Sequence, residues 1–368
     1  MKRVIKYNSI NTYSTMIKNL KKHISYKKDK MKHISCSLTE KIHGANAAVC
    51  FSNPDGFWVQ SRERIITIED DNAGCAFDAY SKQEIWTNLI LDLAYEYNID
   101  LNKNIISLYY EFAGGRIQKN SCLSGLNKKN IIFAHFKVSL LEPSLDDNGD
   151  MISTDDQPAY WLETSISDTN KDTKHPIKNE DSEIYNVLQF NQYLLTINLD
   201  LPSESINNII KIVDQIEQES PIGKYFGKQN IGEGVVGTIE YDKKLYKFKA
   251  KGEKHVNSKV KTLKPATEED LEQERQKIKL VEIVATAGRC EQAWQAIFGI
   301  ENEKNEPSMQ KMGDFLRWIH KDIMKEHQED YIRFGLEPKS INSKISLVCR
   351  AWFNEQLSEY NLGLVDEN

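Results

Sequence analysis

A chain of 368 residues, with 40% hydrophobic and 28% charged side chains, has the make-up of a soluble globular protein and the length for about two domains. Its formal net charge of −6 excludes a basic nucleic-acid coat but leaves room for a local basic face. No run of about 18 apolar residues occurs, so no helical membrane span and no membrane partner are expected. The basic start Met1-Lys2-Arg3 lacks the apolar core of a signal peptide. Six scattered cysteines (Cys36, Cys50, Cys75, Cys122, Cys290, Cys349) form no Cys-x-x-Cys pair. They read as reduced core thiols of a cytoplasmic protein, not as metal ligands or a disulfide framework.

Residues 1–35 are lysine-rich and are expected to give a short helix or strand. Thr39-Glu40-Lys41-Ile42-His43-Gly44-Ala45-Asn46 then leads into the apolar run 47–51, a loop entering a strand with Lys41 at its mouth. A lysine amine becomes a nucleophile once neutral, and Gly44 would let the backbone approach a phosphate. Asn53-Pro54-Asp55-Gly56 predicts a turn between strands at 47–51 and 57–61, the second delivering Arg62 at its end. Ile85, Leu89, Leu93 and Tyr97 recur at helical spacing over 82–97. Residues 105–112 form a buried-strand pattern ending near Glu111, followed by the loop Ala113–Asn120, and 130–140 reads as one further strand carrying Phe133 and Phe136. The polar stretch 144–184 is expected to be a surface insertion, unless Tyr160-Trp161-Leu162 packs down as a small strand.

Ile231-Gly232-Glu233-Gly234-Val235-Val236-Gly237 matches a Gly-x-Gly-x-x-Gly string, but the next residues, Thr238-Ile239-Glu240-Tyr241, are strand-like, which argues against dinucleotide binding. Nine lysines and one acid occupy 243–264, and Lys247, Lys249 and Lys251 alternate, so a strand would turn all three to one side. From Pro265 the pattern becomes helical. Thr267 and Asp270 fit a capping box, and beyond it lie two apolar stripes: Met309, Leu316, Ile319, Ile323 and Ile341, Ile345, Val348, Trp352. The chain therefore divides into a mixed α+β domain over 1–264, with its insertion at about 144–184, and a small all-α domain over 265–368.

Lys41, Arg62, Glu111, Glu233, Lys249 and Lys251 each fall at a strand end or turn. Phosphoryl and nucleotidyl transfer need such a set: a nucleophile, cations for the equatorial oxygens and carboxylates for a divalent metal. Two lysines on one strand face could flank a phosphate and ease Lys41 toward its neutral form.

This arrangement resembles the covalent nucleotidyltransferase superfamily of polynucleotide ligases and capping enzymes, and within it the RNA ligase 2 family. Glu40-Lys41-Ile42-His43-Gly44 with Asn46 is similar to the family's first motif, in the form with His where DNA ligases and capping enzymes usually carry Asp. Arg62 matches the arginine motif. Glu111-Phe112-Ala113-Gly114 with Ile117-Gln118-Lys119-Asn120 resembles the third motif and its extension. Phe136 falls where the family stacks an aromatic on adenine, Glu233-Gly234 matches the fourth motif, and Lys249-Ala250-Lys251 the fifth. The likeness is strong over about 39–136 and 231–256. It continues more weakly into the helical domain, which in this family serves sealing, with Arg289 and Asp322 near the joining positions. Lys137 stands where the family has Asp, Gly237-Thr238-Ile239 where it has a Lys-Pro pair, and the segment between Phe136 and Glu233 is long, without a clear counterpart.

The resemblance implies an antiparallel-sheet adenylyltransferase domain, ATP as substrate and Mg²⁺ or Mn²⁺ as cofactor. Lys41 would take AMP from ATP, pass it to a 5′-phosphate RNA end, and a 3′-hydroxyl would displace it. Lys249 and Lys251 would neutralise the α-phosphate, Glu233 and Glu111 hold metal, and Glu40, His43, Asn46, Arg62, Glu111 and Phe136 hold ATP or AMP. Asn46, Arg62, Arg289 and Asp322 would serve joining. A nicked duplex of RNA or RNA/DNA hybrid is the expected partner, and a monomer the expected state. The alternatives are a DNA ligase or GTP-using capping enzyme, and a non-enzymatic RNA binder using the 243–264 lysines.

Overall fold

The computed structural model describes residues 2–71, 73–119, 121–142, 159–168, 173–255, 263–299 and 306–366. They form two units: Met1–His23, His33–Leu199 and Ser205–Pro265 in the first, and Ile24–Lys32, Asp200–Glu204 and Ala266–Asn368 in the second.

The first unit begins with helix α1 (Tyr13–Tyr26) and strands β1 (His33–Glu40), β2 (Ala45–Ser52), β3 (Gly56–Ser61) and β4 (Ile65–Ile66). Helices α2 (Cys75–Ser81) and α3 (Gln83–Glu96) precede β5 (Asn104–Ala113), β6 (Lys129–Ile132) and β7 (His135–Leu140). Short strands β8 (Ala159–Glu163), β9 (Ser165–Ser167), β10 (Lys174–Pro176) and β11 (Ile184–Asn186) lead to β12 (Gln192–Asn198). Helices α4 (Glu204–Gln218) and α5 (Pro221–Tyr225) and the hairpin β13 (Gly234–Tyr241) and β14 (Lys244–Lys251) complete the unit.

One sheet runs β12-β1-β13-β14, antiparallel throughout; the other runs β11-β6-β5-β2-β3-β4, with β7 on β5 and β8 on β7 and a parallel β6–β11 pair. The α+β class expected from the sequence is what the chain adopts. The two-sheet layout follows from alternation. Val49, Ile106, Leu108, Tyr110 and Phe112 pack with Trp86, Ile90 and Leu93 of α3, while Ala48, Cys50, Ile105 and Tyr109 face the opposite way with Ile5 and Trp58. The predicted turn at 53–56 forms, Gly56 supplying a φ of +69° between Phe51 and Phe57, which are paired.

Two expectations change, and a third is met. Residues 130–140 are two strands, because the chain breaks at Phe133 and Ala134 between β6 and β7. The described parts of 144–184 are no loose insertion: β8 pairs with β7, β11 pairs with β6, and Ile177 and Ile184 are buried in the main core. The remainder of that stretch, 144–158 and 169–172, lies outside the described residues, as do Asn120, Lys259 and Lys261. The lysine-rich start gives α1, preceded by an extended segment whose Asn11 bridges Phe248 of β14.

The second unit holds α6 (Glu268–Val284), α7 (Ala287–Phe298), α8 (Met312–Glu326), α9 (Gln328–Arg333) and α10 (Asn342–Asp366). Thr267 and Asp270 form the predicted capping box. The core takes Leu316, Ile319 and Ile323 as expected, with Phe315 beside them. Met309 precedes α8 and is exposed, and on α10 the buried row is Ile341, Ile345, Cys349, Phe353; Val348 faces outward and Trp352 is partly buried. At 3.6 residues per turn a four-residue step drifts by about 40° each time, so the buried row winds gradually around the helix instead of keeping the predicted spacing. All six cysteines are buried and none is in a disulfide.

Candidate active site

β1 belongs to one sheet and β2 to the other, so Lys41–Gly44 is the crossover between them. The Lys41 amide donates to the Gly234 carbonyl at 2.8 Å, and Gly44 donates to Glu111 Oε1 at 2.9 Å, which fixes the loop to both sheets. Glycine is required at 44 because a Cβ would lie 2.4 Å from the Phe112 carbonyl oxygen. Close backbone packing alone is enough to require the residue. Gly234 has a φ of +137° and admits no Cβ against Ala250.

The crossover opens on a cavity of about 1010 Å³ lined by Glu40, Lys41, His43, Asn46, Arg62, Glu111, Glu233, Lys249 and Lys251. Alternation explains the convergence. Asn46 is paired with Glu111 across β2 and β5, on the face opposite the α3 core, and Lys247, Lys249 and Lys251 share one face of β14. The side chain of Glu233 is 1% exposed and sits at the centre. One oxygen meets Lys41 Nζ at 2.5 Å and His43 Nδ1 at 3.3 Å; the other meets Lys251. Burial pushes this carboxyl up, but the His43 hydrogen bond and the two lysines overcome it and hold Glu233 far below the usual range. The same hydrogen bond raises His43 against its partial burial. Lys249 is lowered by burial and by Lys251, Lys41 and Arg62. Glu111 is raised by burial, opposed by Lys41 and the Gly44 N–H.

Nine of the predicted residues line this one cavity; Phe136 does not, and Arg289 and Asp322 belong to the other unit. Phe136 is 0% exposed in the core beside Tyr97, with ring centroids 5.6 Å apart. Alternation on β7 sends Phe136 and Val138 to the α3 side and Lys137 to the cavity, so Phe136 is not on the cavity wall. Phe133, freed by the break before β7, lines the cavity instead. Arg289 and Asp322 lie in the helical unit, bonded to each other at 2.8 Å. Arg289 also donates to Glu326 at 2.9 Å and to the Val284 carbonyl, so its guanidinium is committed to holding helices together. Glu40 borders the cavity, yet its oxygens take Ser220 Oγ at 2.6 Å and the Ile222 N–H at 3.0 Å. Burial pushes this carboxyl up to about 7 against those hydrogen bonds.

Sequence reasoning missed Phe133, Tyr7 and Gln118 as wall residues and left Lys247 out of the site, although its alternation with Lys249 marked it. Tyr7 carries no local signal, since only the tertiary path of the N-terminal segment places it.

Among the described residues no group of three His, Cys, Asp or Glu side chains converges into a closed cage for a divalent ion. Glu233 and Glu111 at one cavity fit an ion held mainly by nucleotide phosphates and water, the habit of Mg²⁺.

No family model matches the chain, and no curated protein matches it. Among solved structures it is similar to a lysine-to-alanine variant of the Naegleria gruberi RNA ligase with ATP and Mn, with 16% identity over 69% of this chain and 58% of that one, TM-score 0.38. An archaeal ATP-dependent RNA ligase shares 11% identity over 88% and 64% of the two chains, TM-score 0.30. An Aquifex aeolicus protein assigned as an ATP-dependent DNA ligase shares 12% identity over 89% and 73%, TM-score 0.31. The chain spans 58% of the length of the Naegleria ligase.

Proposed function

We propose that the chain is an ATP-dependent RNA ligase joining 3′-hydroxyl and 5′-phosphate ends, at nicks in duplex RNA or RNA/DNA hybrid. One observation carries this reading: a buried glutamate, Glu233, gripped by Lys41, His43 and Lys251 at a cavity that Lys249 and Arg62 also line. A structural ion pair needs one lysine. Two lysines and a histidine converging on one carboxylate, with Lys249 and Arg62 beside it, suit a polyphosphate.

Lys41 Nζ is the nucleophile. Glu233 positions it and, strongly depressed, stays ionised, so the proton that Nζ loses passes to solvent water in the cavity. As the N–P bond forms at the α-phosphorus, the bond to pyrophosphate breaks. Lys249 and Lys251 neutralise the α-phosphate oxygens, and His43, raised by Glu233, adds positive charge beside the departing group. The resulting lysyl–AMP passes its AMP to the RNA 5′-phosphate, and the 3′-hydroxyl then displaces AMP. Asn46 and Arg62, on neighbouring strand positions of the cavity rim, contact AMP or the 5′-phosphate, and Glu111 contacts the ribose or the ion. Glu233 and Glu111 would hold Mg²⁺ or Mn²⁺, which supplies charge neutralisation on the phosphates.

The test is sealing of a nicked duplex whose 3′-terminus is ribose in one case and deoxyribose in the other. Sealing of the ribose nick at a rate severalfold above the other is expected. Equal sealing of both would point to a DNA ligase, and sealing of neither would overturn the reading.

A further inference from the structure

The cavity extends well beyond Lys41. At its other end the side chain of Lys247 points inward although the residue is only 3% exposed. Its ammonium meets the Tyr7 hydroxyl and lies over the rings of Tyr7 at 4.8 Å and Trp161 at 5.6 Å. Among the described residues no carboxylate pairs with it, and burial alone lowers its pKa to about 7. A buried cation without a counter-charge is costly, and a lysine so perturbed on a cavity wall marks a place for a ligand contact.

The order of groups along the wall gives the ligand's polarity. Lys41, Glu233 and Lys251 mark the phosphate end. Glu111 feels both Lys41 and Glu233, and Tyr7 in turn feels Glu111. Tyr7 then holds Lys247. Lys247 is four residues from Lys251 on one strand face, about 14 Å at ~3.4 Å per residue. Phosphate, sugar and base follow the same sequence in a nucleotide. The far end also has what a base requires, with Tyr7 and Phe133 packed edge to face at 5.3 Å and both lining the cavity.

We propose that Lys247 is a base-reading residue, whose Nζ, held by Tyr7, donates to an acceptor atom on the purine ring of the nucleotide that reacts at Lys41. This rests on the nucleotidyl-transfer reading and assigns a base contact to a strand position two residues before the Lys249–Lys251 pair. The N-terminal segment is then part of the base site. Ile5 is bonded to Gln60 of β3 at 2.9 and 2.7 Å, and Asn11 to β14 at Lys247 and Lys249, both at 3.1 Å, so Tyr7 is presented from a strap fixed at both ends.

The test is calorimetric titration of the full chain with ATP and, separately, with inorganic pyrophosphate, for the wild type, Lys247→Met and Lys247→Arg. Lys247→Met should weaken ATP about tenfold, the worth of a hydrogen bond from a charged donor, and leave pyrophosphate unchanged, with Lys247→Arg recovering most of the loss. Unchanged ATP binding, or equal losses for ATP and pyrophosphate, would overturn the assignment. Should Lys247→Met not fold, Tyr7→Phe keeps the ring and deletes the hydroxyl that holds Nζ. It should weaken ATP severalfold, and no loss there would equally overturn it. ATP binding that depends on Lys247 without any covalent label on Lys41 would sink the lysyl–AMP step and leave only the base contact standing. A wild type that binds no ATP would sink both.

Discussion

At the scale of single residues the site is a charge balance around Glu233. Replacing it by Gln keeps the shape and removes the charge that Lys41, His43 and Lys251 share. Transfer of AMP to the protein should fall ~10²–10³-fold, read as the initial rate of label uptake. The two aromatics give a sharper contrast. Phe136→Ala should cost about 3–5 kcal/mol of stability by emptying a core position, seen in the denaturation midpoint, with ATP affinity little changed in the folded fraction. Phe133→Ala should do the reverse, weakening ATP and sparing stability. Opposite results would restore Phe136 to the nucleotide site. Lys41, Arg62, Glu111, Glu233, Lys249 and Lys251 were legible because each ends a strand or alternates along one, and local pattern reports such positions. Phe136 was misplaced for a related reason. The apolar run 130–140 hides the break at 133–134, and which face a strand residue takes depends on where that break falls.

At the scale of elements, the loop joining β1 to β2 is held from below by Glu40, clasped at the start of α5 by Ser220 and Ile222. Its carboxyl is raised to about 7 from an ordinary 4.5, so between those values the folded state binds more protons than the unfolded one. The contribution is present below pH ~4.5 and lost as pH rises through ~7. The denaturation midpoint of the wild type should thus fall, relative to Glu40→Gln, on going from pH 5 to pH 8. Parallel pH profiles for the two proteins would show that Glu40 ionises normally. In the helical unit, Arg289→Met should leave Asp322 without its partner and destabilise the helices by about 3–5 kcal/mol. Arg289 was read from sequence as a joining residue; its bonds to Asp322, Glu326 and the Val284 carbonyl were not legible, because only the positions of α7 and α8 bring those groups together. The capping box at Thr267 was legible since its bonds are local, whereas the pairing of β8 with β7 and β11 with β6 joins segments no local pattern connects.

At the scale of the whole molecule, all the residues assigned to nucleotide chemistry belong to the first unit, and the helical unit has its own core. A chain ending at 264 should therefore take up AMP but seal nicks poorly; a fragment that seals as well as the full chain would remove the helical unit from the joining step. No helix among the described residues is long and apolar enough to cross a membrane. The central claim is that Lys41 carries AMP, and one measurement addresses it directly. The protein is incubated with α-labelled ATP and Mg²⁺, denatured and separated by size. A labelled protein band is expected with the wild type and none with Lys41→Ala. No label on the wild type, or label that persists on Lys41→Ala, would contradict it.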